Sequence, residues 1–271
     1  MFIGWIRKNS FQSDIKTLAK EILIDENLVI NTFNEDQSLC FGAYEGEELY
    51  GFISAYSFEN SIYINNFYYK EGFLDEYKKR MVKLLLNNIE QKEKSIIFMA
   101  SIKEFDIFKE FGFKEFANFK KALYSSGGAA FNFSNATAKS IGGENYLSII
   151  NKLDTKAFNE NRIDYISKIL SKSSSLFLST DFGFQHSYAI GQSAVKISPW
   201  IMVDEAFSDA EKLLRGVIYH RGLKRLISFI PKDVKEIREL YESYNFVLKD
   251  DYKLIYKNKK PNIDLESIYG F

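Results

Sequence analysis

One cysteine in 271 residues, Cys40, and two histidines, His186 and His220, leave little for thiol or metal chemistry. A lone thiol cannot close an intramolecular disulfide, and no Cys/His spacing resembles a zinc site, so no metal is expected. Net charge is also missing. Thirty-six Lys and Arg cancel 36 Asp and Glu, so no overall field draws the chain to nucleic acid or to an anionic membrane. Nowhere do about 18 consecutive apolar residues occur, and no membrane-spanning helix is expected. The opening Met1–Lys8 has too short an apolar run for a secretory signal, with its charge on the wrong side. Together with the solitary cysteine this points to the cytoplasm. No glycine-rich fingerprint follows a predicted strand, which argues against a Rossmann dehydrogenase or methyltransferase.

What is present is an ordinary globular composition, 46% apolar and 27% charged, over a length that fits one large domain or two smaller ones. Residues 125–144 are rich in Gly, Ser, Ala and Asn and nearly uncharged, which reads as a linker between parts spanning 1–124 and 145–271. Each part carries the same order of signals. In the first, Ile15, Leu18, Ala19, Ile22 and Leu23 recur at helical spacing, with Ser13 available as a cap. Three extended runs follow at 39–44, 49–58 and 61–69, then an amphipathic helix opened by Asp75. A short buried strand at 95–100, a helix from about Lys103 to a cap at Gly112, and a strand at 114–124 complete the part.

The second part repeats the plan. Helices are expected at 146–153 and 162–170, and extended runs at 176–178, 187–190 and 195–203. Ser208-Asp209-Ala210-Glu211 reads as a capping box, 226–230 as a strand, Asp233 as the cap of the next helix, and 246–256 as the closing strand. The pattern is a duplicated mixed α/β (α+β) fold, each copy a mostly antiparallel sheet flanked by helices.

This order resembles that of the GNAT superfamily of N-acetyltransferases. Ile237-Arg238-Glu239-Leu240-Tyr241-Glu242-Ser243-Tyr244-Asn245-Phe246 is similar to that family's closing helix, with Asn245 in the place of a glycine. Asn tolerates left-handed backbone better than most residues, so the exchange is chemically reasonable. Ile107–Phe113 matches the same pattern, with Phe108 where the tyrosine would stand. Leu153–Phe158 with Arg162, Tyr188–Gly191, Ile197–Ile201 and the terminal Ile268–Phe271 resemble segments of tandem members with a distinctive C-terminal domain. Pro199 fits a bulge in the fourth strand or, equally, a strand start.

The resemblance implies acetyl-CoA or another acyl-CoA as co-substrate and a small-molecule or peptide amine as acceptor. It places the pyrophosphate at a glycine-rich loop before a helix, where consecutive N–H groups cradle an anion. In the first part that place holds Tyr68-Tyr69-Lys70-Glu71-Gly72-Phe73-Leu74-Asp75, and in the second Asp204–Asp209, which has three acids and no glycine. The candidate cofactor-binding residues are therefore Phe67, Tyr68, Tyr69, Lys70, Gly72, Phe73 and Lys78. Lys78, Lys79 and Arg80 read equally as a solvated helix face, and Tyr63, Phe67, Tyr68 and Tyr69 as core.

Tyr241 stands where the family protonates the departing thiolate, though a core role suits its helical spacing. Glu59 and Glu104 are the carboxylates placed to act as base, or are surface charges. Cys40 reads as a small core residue. A GNAT-fold binding module that has lost its cofactor is the other reading of the chain.

Overall fold

The computed structural model describes residues 1–89, 93–125, 139–140 and 146–271. Of the linker expected at 125–144, only Ser125, Lys139 and Ser140 lie within the described residues. The chain forms two compact units, residues 1–116 with 253–261, and 117–252 with 262–271.

Unit 1 is built on strands β1 (Phe2–Trp5), β2 (Cys40–Glu45), β3 (Glu48–Ser57), β4 (Ser61–Tyr69) and β5 (Ser95–Ser101). They lie in that order, and next to β5 runs the end of β12 (Val247–Lys257), whose residues 253–257 belong to this unit. β1 to β4 pair antiparallel, and β4 pairs parallel with β5. Side chains alternate between the two faces along each strand. Cys40, Tyr44 and Phe52 therefore pack with α1 (Phe11–Leu18) and α2 (Glu26–Glu35). Their neighbours Phe41, Ala43 and Ile53 pack with α3 (Asp75–Asn88) and α4 (Ile102–Lys109). Cys40 is fully buried, as its core reading requires, and burial pushes its thiol pKa up.

Several local expectations change. α1 starts two residues before Ser13, whose hydroxyl donates to the Ser10 carbonyl, and it stops at Leu18. β1 and α2 were not anticipated; Asp25 caps α2 by accepting from the Leu28 N–H at 3.0 Å. Gly112 does close the α4 segment, at φ +84°.

Unit 2 runs from residues 117–124 of β6 (Lys114–Tyr124) through β11 (Arg225–Pro231), β10 (Ala194–Met202), β9 (Gly183–Ile190), β8 (Leu176–Thr180) and β7 (Lys139–Ser140). β13 (Ile268–Gly270) pairs with β10. Helices α5 (Tyr146–Phe158), α6 (Phe207–Arg221) and α7 (Lys235–Ser243) accompany the sheet, and Tyr165–Leu170 forms a π-helical segment. The core gathers Leu213, Leu214 and Val217 of α6 and Ile237 and Leu240 of α7 against Val195, Ile197 and Trp200. Neither Ser208 nor Asp233 caps a helix: α6 begins after Ala206 and α7 after Val234, with no side-chain cap on either. Asn245 takes φ +62°, the left-handed backbone its position calls for. The units differ from the halves 1–124 and 145–271 because unit 1 draws its last strand from 253–257 and unit 2 includes 117–124.

Candidate functional site

The parallel pair of each unit is short, and its strands part. In unit 1, β4 and β5 pair from Ser61↔Ser95 to Ile64↔Phe98 and no further. At that point the β3 register steps from Ala55↔Ile64 to Ser54↔Asn66, leaving Asn65 as a bulge. A neutral network holds the bulge. Ser54 Oγ donates to Asn65 Oδ1 at 3.0 Å, and Asn65 Nδ2 donates to Thr32 Oγ1 at 2.8 Å. Beyond it the Tyr69 hydroxyl reaches across to α4 and donates to Glu104 Oε1 at 3.1 Å. Glu104 is fixed by a capping box, accepting from the Ser101 N–H at 2.7 Å while its own N–H faces Ser101 Oγ. The Phe67 ring stands 6.0 Å from Phe98 and 5.7 Å from Phe108. Phe108 cannot donate a proton, but Glu104, one turn earlier on α4, holds the Tyr69 hydroxyl.

In unit 2, β10 and β11 pair only from Ala194↔Arg225 to Lys196↔Ile227. Of the two readings of Pro199, bulge or strand start, the structure has the bulge, since the β9 register shifts between Ile197 and Trp200. The parting here holds residues 268–271. β13 pairs with β10 at Trp200↔Gly270 and Ile201↔Ile268, and the Phe271 N–H donates to the Phe229 carbonyl of β11 at 3.0 Å. Tyr241 is fully buried, and its hydroxyl donates to the Tyr269 carbonyl at 2.7 Å. Burial pushes its phenol pKa far above the usual range. As placed, Tyr241 holds β13 and packs against Trp200 and Phe246. His186 is also buried, accepting from Ser175 Oγ and donating from Nδ1 to the Ser198 carbonyl at 2.8 Å, while His220 is exposed. A groove of about 880 Å³ in this unit, lined by Ile149, Lys152, Lys156, Thr180, Asp181 and Lys212 among others, contains none of the expected site residues.

No protein-family model matches the chain, and no curated protein matches it. Solved structures do. A candidate acetyltransferase from Pyrococcus horikoshii superposes with TM-score 0.77 at 16% identity, covering 100% of this chain and 93% of that one. A GCN5-related N-acetyltransferase from Sphaerobacter thermophilus gives 0.65 at 12% identity over 98% of both chains. A tandem GNAT protein from the clavulanic acid biosynthesis pathway gives 0.63 at 9% identity, over 94% of this chain and 98% of that one. The chain has a tandem GNAT fold.

In GNAT terms the loop after β4 is the place for a pyrophosphate, and its residues do not fit one. Lys70 is only 8% exposed, and its Nζ lies 2.5 Å from Glu21 Oε1 and 2.5 Å from Glu48 Oε1. Burial alone would lower its pKa; hydrogen bonds to Glu21 and Glu48 outweigh that and hold it above the usual lysine value. The cation expected to meet phosphate is thus already matched twice. Gly72 takes φ +78° in a turn closed by the Phe73 N–H to the Lys70 carbonyl, at 3.2 Å. A Cβ there would meet no atom of the chain within 4 Å, so within the protein itself the glycine serves the turn's dihedral. Lys78 Nζ pairs with Asp75 at 2.8 Å and sits 4.3 Å over the Tyr69 ring, and Lys79 pairs with Glu110. The hydrogen bond from Lys78 holds the Asp75 carboxyl below its usual pKa.

Of the residues singled out by sequence, the structure brings together Phe67, Tyr69, Phe73, Lys78 and Glu104. Phe73 is buried and stacks on Tyr69, with ring centroids 6.1 Å apart. Tyr68 points to the opposite face, against the α1 cluster. Glu59 is exposed in the turn before β4, the full nine residues of that strand, about 30 Å, from the loop. Ser101 and Asn65 were missed. Ser101-x-x-Glu104 before an apolar helix is a capping-box signature that marks how Glu104 is held.

Proposed function

We propose that the protein is an N-acyltransferase whose reaction takes place in unit 1, moving an acyl group from a thioester to the amine of a small molecule or peptide. The observation that carries this is the Tyr69–Glu104 hydrogen bond, placed where β4 and β5 part. The amine nitrogen attacks the thioester carbonyl; the N–C bond forms and the C–S bond breaks. Glu104 takes the proton from the nitrogen, Tyr69 gives its proton to the departing sulfur, and Glu104 returns a proton to Tyr69. One proton thus passes from amine to thiol, and the pair ends as it began. The β4–β5 ladder ends at Ile64, and backbone N–H groups at such a parting are donors suited to a developing oxyanion. Such proton transfer is worth about 10²- to 10⁴-fold in rate.

The test is transfer from acetyl-CoA and from acetyl-pantetheine to a panel of amines, with Tyr69→Phe and Glu104→Gln alongside the native chain. Both variants should lose roughly a hundredfold in kcat and keep the melting temperature within about 2 °C. Variants as fast as the native chain would remove the pair from the mechanism. A native chain that transfers to no amine from either donor favours the second reading, a GNAT-fold binding module, for which the carboxylates at the loop speak.

A further inference from the structure

We infer that the acyl donor of unit 1 is a thioester whose thiol arm carries no nucleotide diphosphate. This rests on the acyltransferase reading and narrows its donor. A helix N-terminus attracts anions through free N–H groups and the helix dipole, unless carboxylates are already there. At the start of α3 they are. Asp75 and Glu76 fill the first turn, Glu71 stands exposed in the turn just before, and Leu74 offers no side-chain cap.

Three of the nearby cations already have carboxylate partners. Lys70 is bound to Glu21 and Glu48, Lys78 to Asp75 and Lys79 to Glu110. Lys103 on α4 adds its field to that of Lys78 at Asp75, and Arg80 is exposed on α3. Against these two stand Glu71, Asp75 and Glu76, all exposed at the same turn. Gly72 leaves open space above its backbone, but the charge bordering that space is negative. The side chains beside the parting, Phe67, Phe98 and Phe108, are apolar and packed in the core, and they add no charge for a diphosphate. A neutral pantetheine-type or smaller thiol needs no such charge, and the transfer proceeds with the same bonds made and broken, releasing the free thiol.

The experiment compares CoA with pantetheine by calorimetric titration of the full chain, and acetyl-CoA with acetyl-pantetheine in kcat/KM toward one amine. The two thiols should bind within about 30-fold of each other, and the two esters should react within the same ratio. A larger preference for CoA overturns the inference and leaves the acyltransferase reading standing. If neither thiol binds, both fall. A Glu71→Ala/Asp75→Asn/Glu76→Gln variant supplies a gain that general disruption cannot mimic. It should bind CoA at least about tenfold tighter and pantetheine no better. Unchanged CoA affinity in that variant also overturns the inference.

Discussion

In unit 1 the gap beyond Ile64 and Phe98 is crossed by a side-chain hydrogen bond, Tyr69 to Glu104. In unit 2 the gap beyond Lys196 and Ile227 is filled by backbone, β13, bonded to β10 and adjoined to β11 through Phe271. The same parting of parallel strands is thus a candidate reaction site in one unit and part of the core in the other. A side-chain bridge leaves strand edges available to a ligand. An inserted strand satisfies those edges permanently, and Tyr241 is recruited to fix it. The duplicated architecture therefore does not imply two sites, since fold and function are separable.

The strongest way to break this comparison is at Gly270. A Cβ there would lie 2.9 Å from Ser228 Oγ, 3.0 Å from the Ile197 carbonyl oxygen and 3.2 Å from Trp200 Cβ. A backbone oxygen cannot step aside, so Gly270→Val should cost about 3 kcal/mol in urea unfolding. The matched change in unit 1, Gly72→Ala, meets no neighbour and should cost only about 1 kcal/mol, from its positive φ. A Gly270→Val chain as stable as the native one would show that β13 does not occupy the slot in solution.

Local signals were legible in the sequence. Gly112, Asn245 and Pro199 each mark a backbone geometry that few residues allow, and each stands where that geometry occurs. The repeated order of elements was legible for the same reason, because period and punctuation are local. β1 escaped notice because four residues carry too little periodicity, and α2 because Asn and Thr interrupt its buried face of Leu28, Val29, Thr32 and Phe33. The site was harder. Lys70 reads as a phosphate ligand until its partners are known, and Glu21 and Glu48 lie 49 and 22 residues away. Tyr241 reads as core or as an acid, and only the Tyr269 carbonyl, 28 residues on, shows its hydroxyl already engaged. Exchange of the closing strands is a choice of partner that no local pattern encodes.

Acid should separate the units next. The bulge of unit 1 is held by Ser54, Asn65 and Thr32, none of which titrates. That of unit 2 is held by His186, whose pKa burial lowers to about 3; its bond to Ser198 opposes the shift, and the cations Lys172, Arg221 and Lys196 add to it. The folded pKa lies below the unfolded one, so the unfolded chain binds the extra proton between them. Stability from His186 is complete above about pH 6.5 and is lost as pH falls toward 3, at up to roughly 1.4 kcal/mol per pH unit. Urea midpoints should thus fall by the equivalent of about 2 kcal/mol from pH 6.5 to 5. His186→Gln should flatten that slope whatever its effect at neutral pH. A slope unchanged by the substitution would place the acid sensitivity elsewhere.

The smallest effect sets the two tyrosines against each other. Tyr241→Phe removes one hydroxyl from a buried pair and leaves the Tyr269 carbonyl short of a donor, at a cost of about 1–2 kcal/mol. Its ring keeps the contacts with Trp200 and Phe246, so no cavity opens. Because that hydroxyl bonds within unit 2, to Tyr269 and Ser228, acyl transfer in unit 1 by the variant should match the native rate. Tyr69 is half-buried and its partner Glu104 is held by the capping box, so Tyr69→Phe should do the reverse, losing rate and keeping stability. Unfolding free energy and kcat measured on both variants make a two-by-two test. If Tyr241→Phe lost rate and Tyr69→Phe did not, the working slot would belong to unit 2, and β13 would have to leave it during turnover.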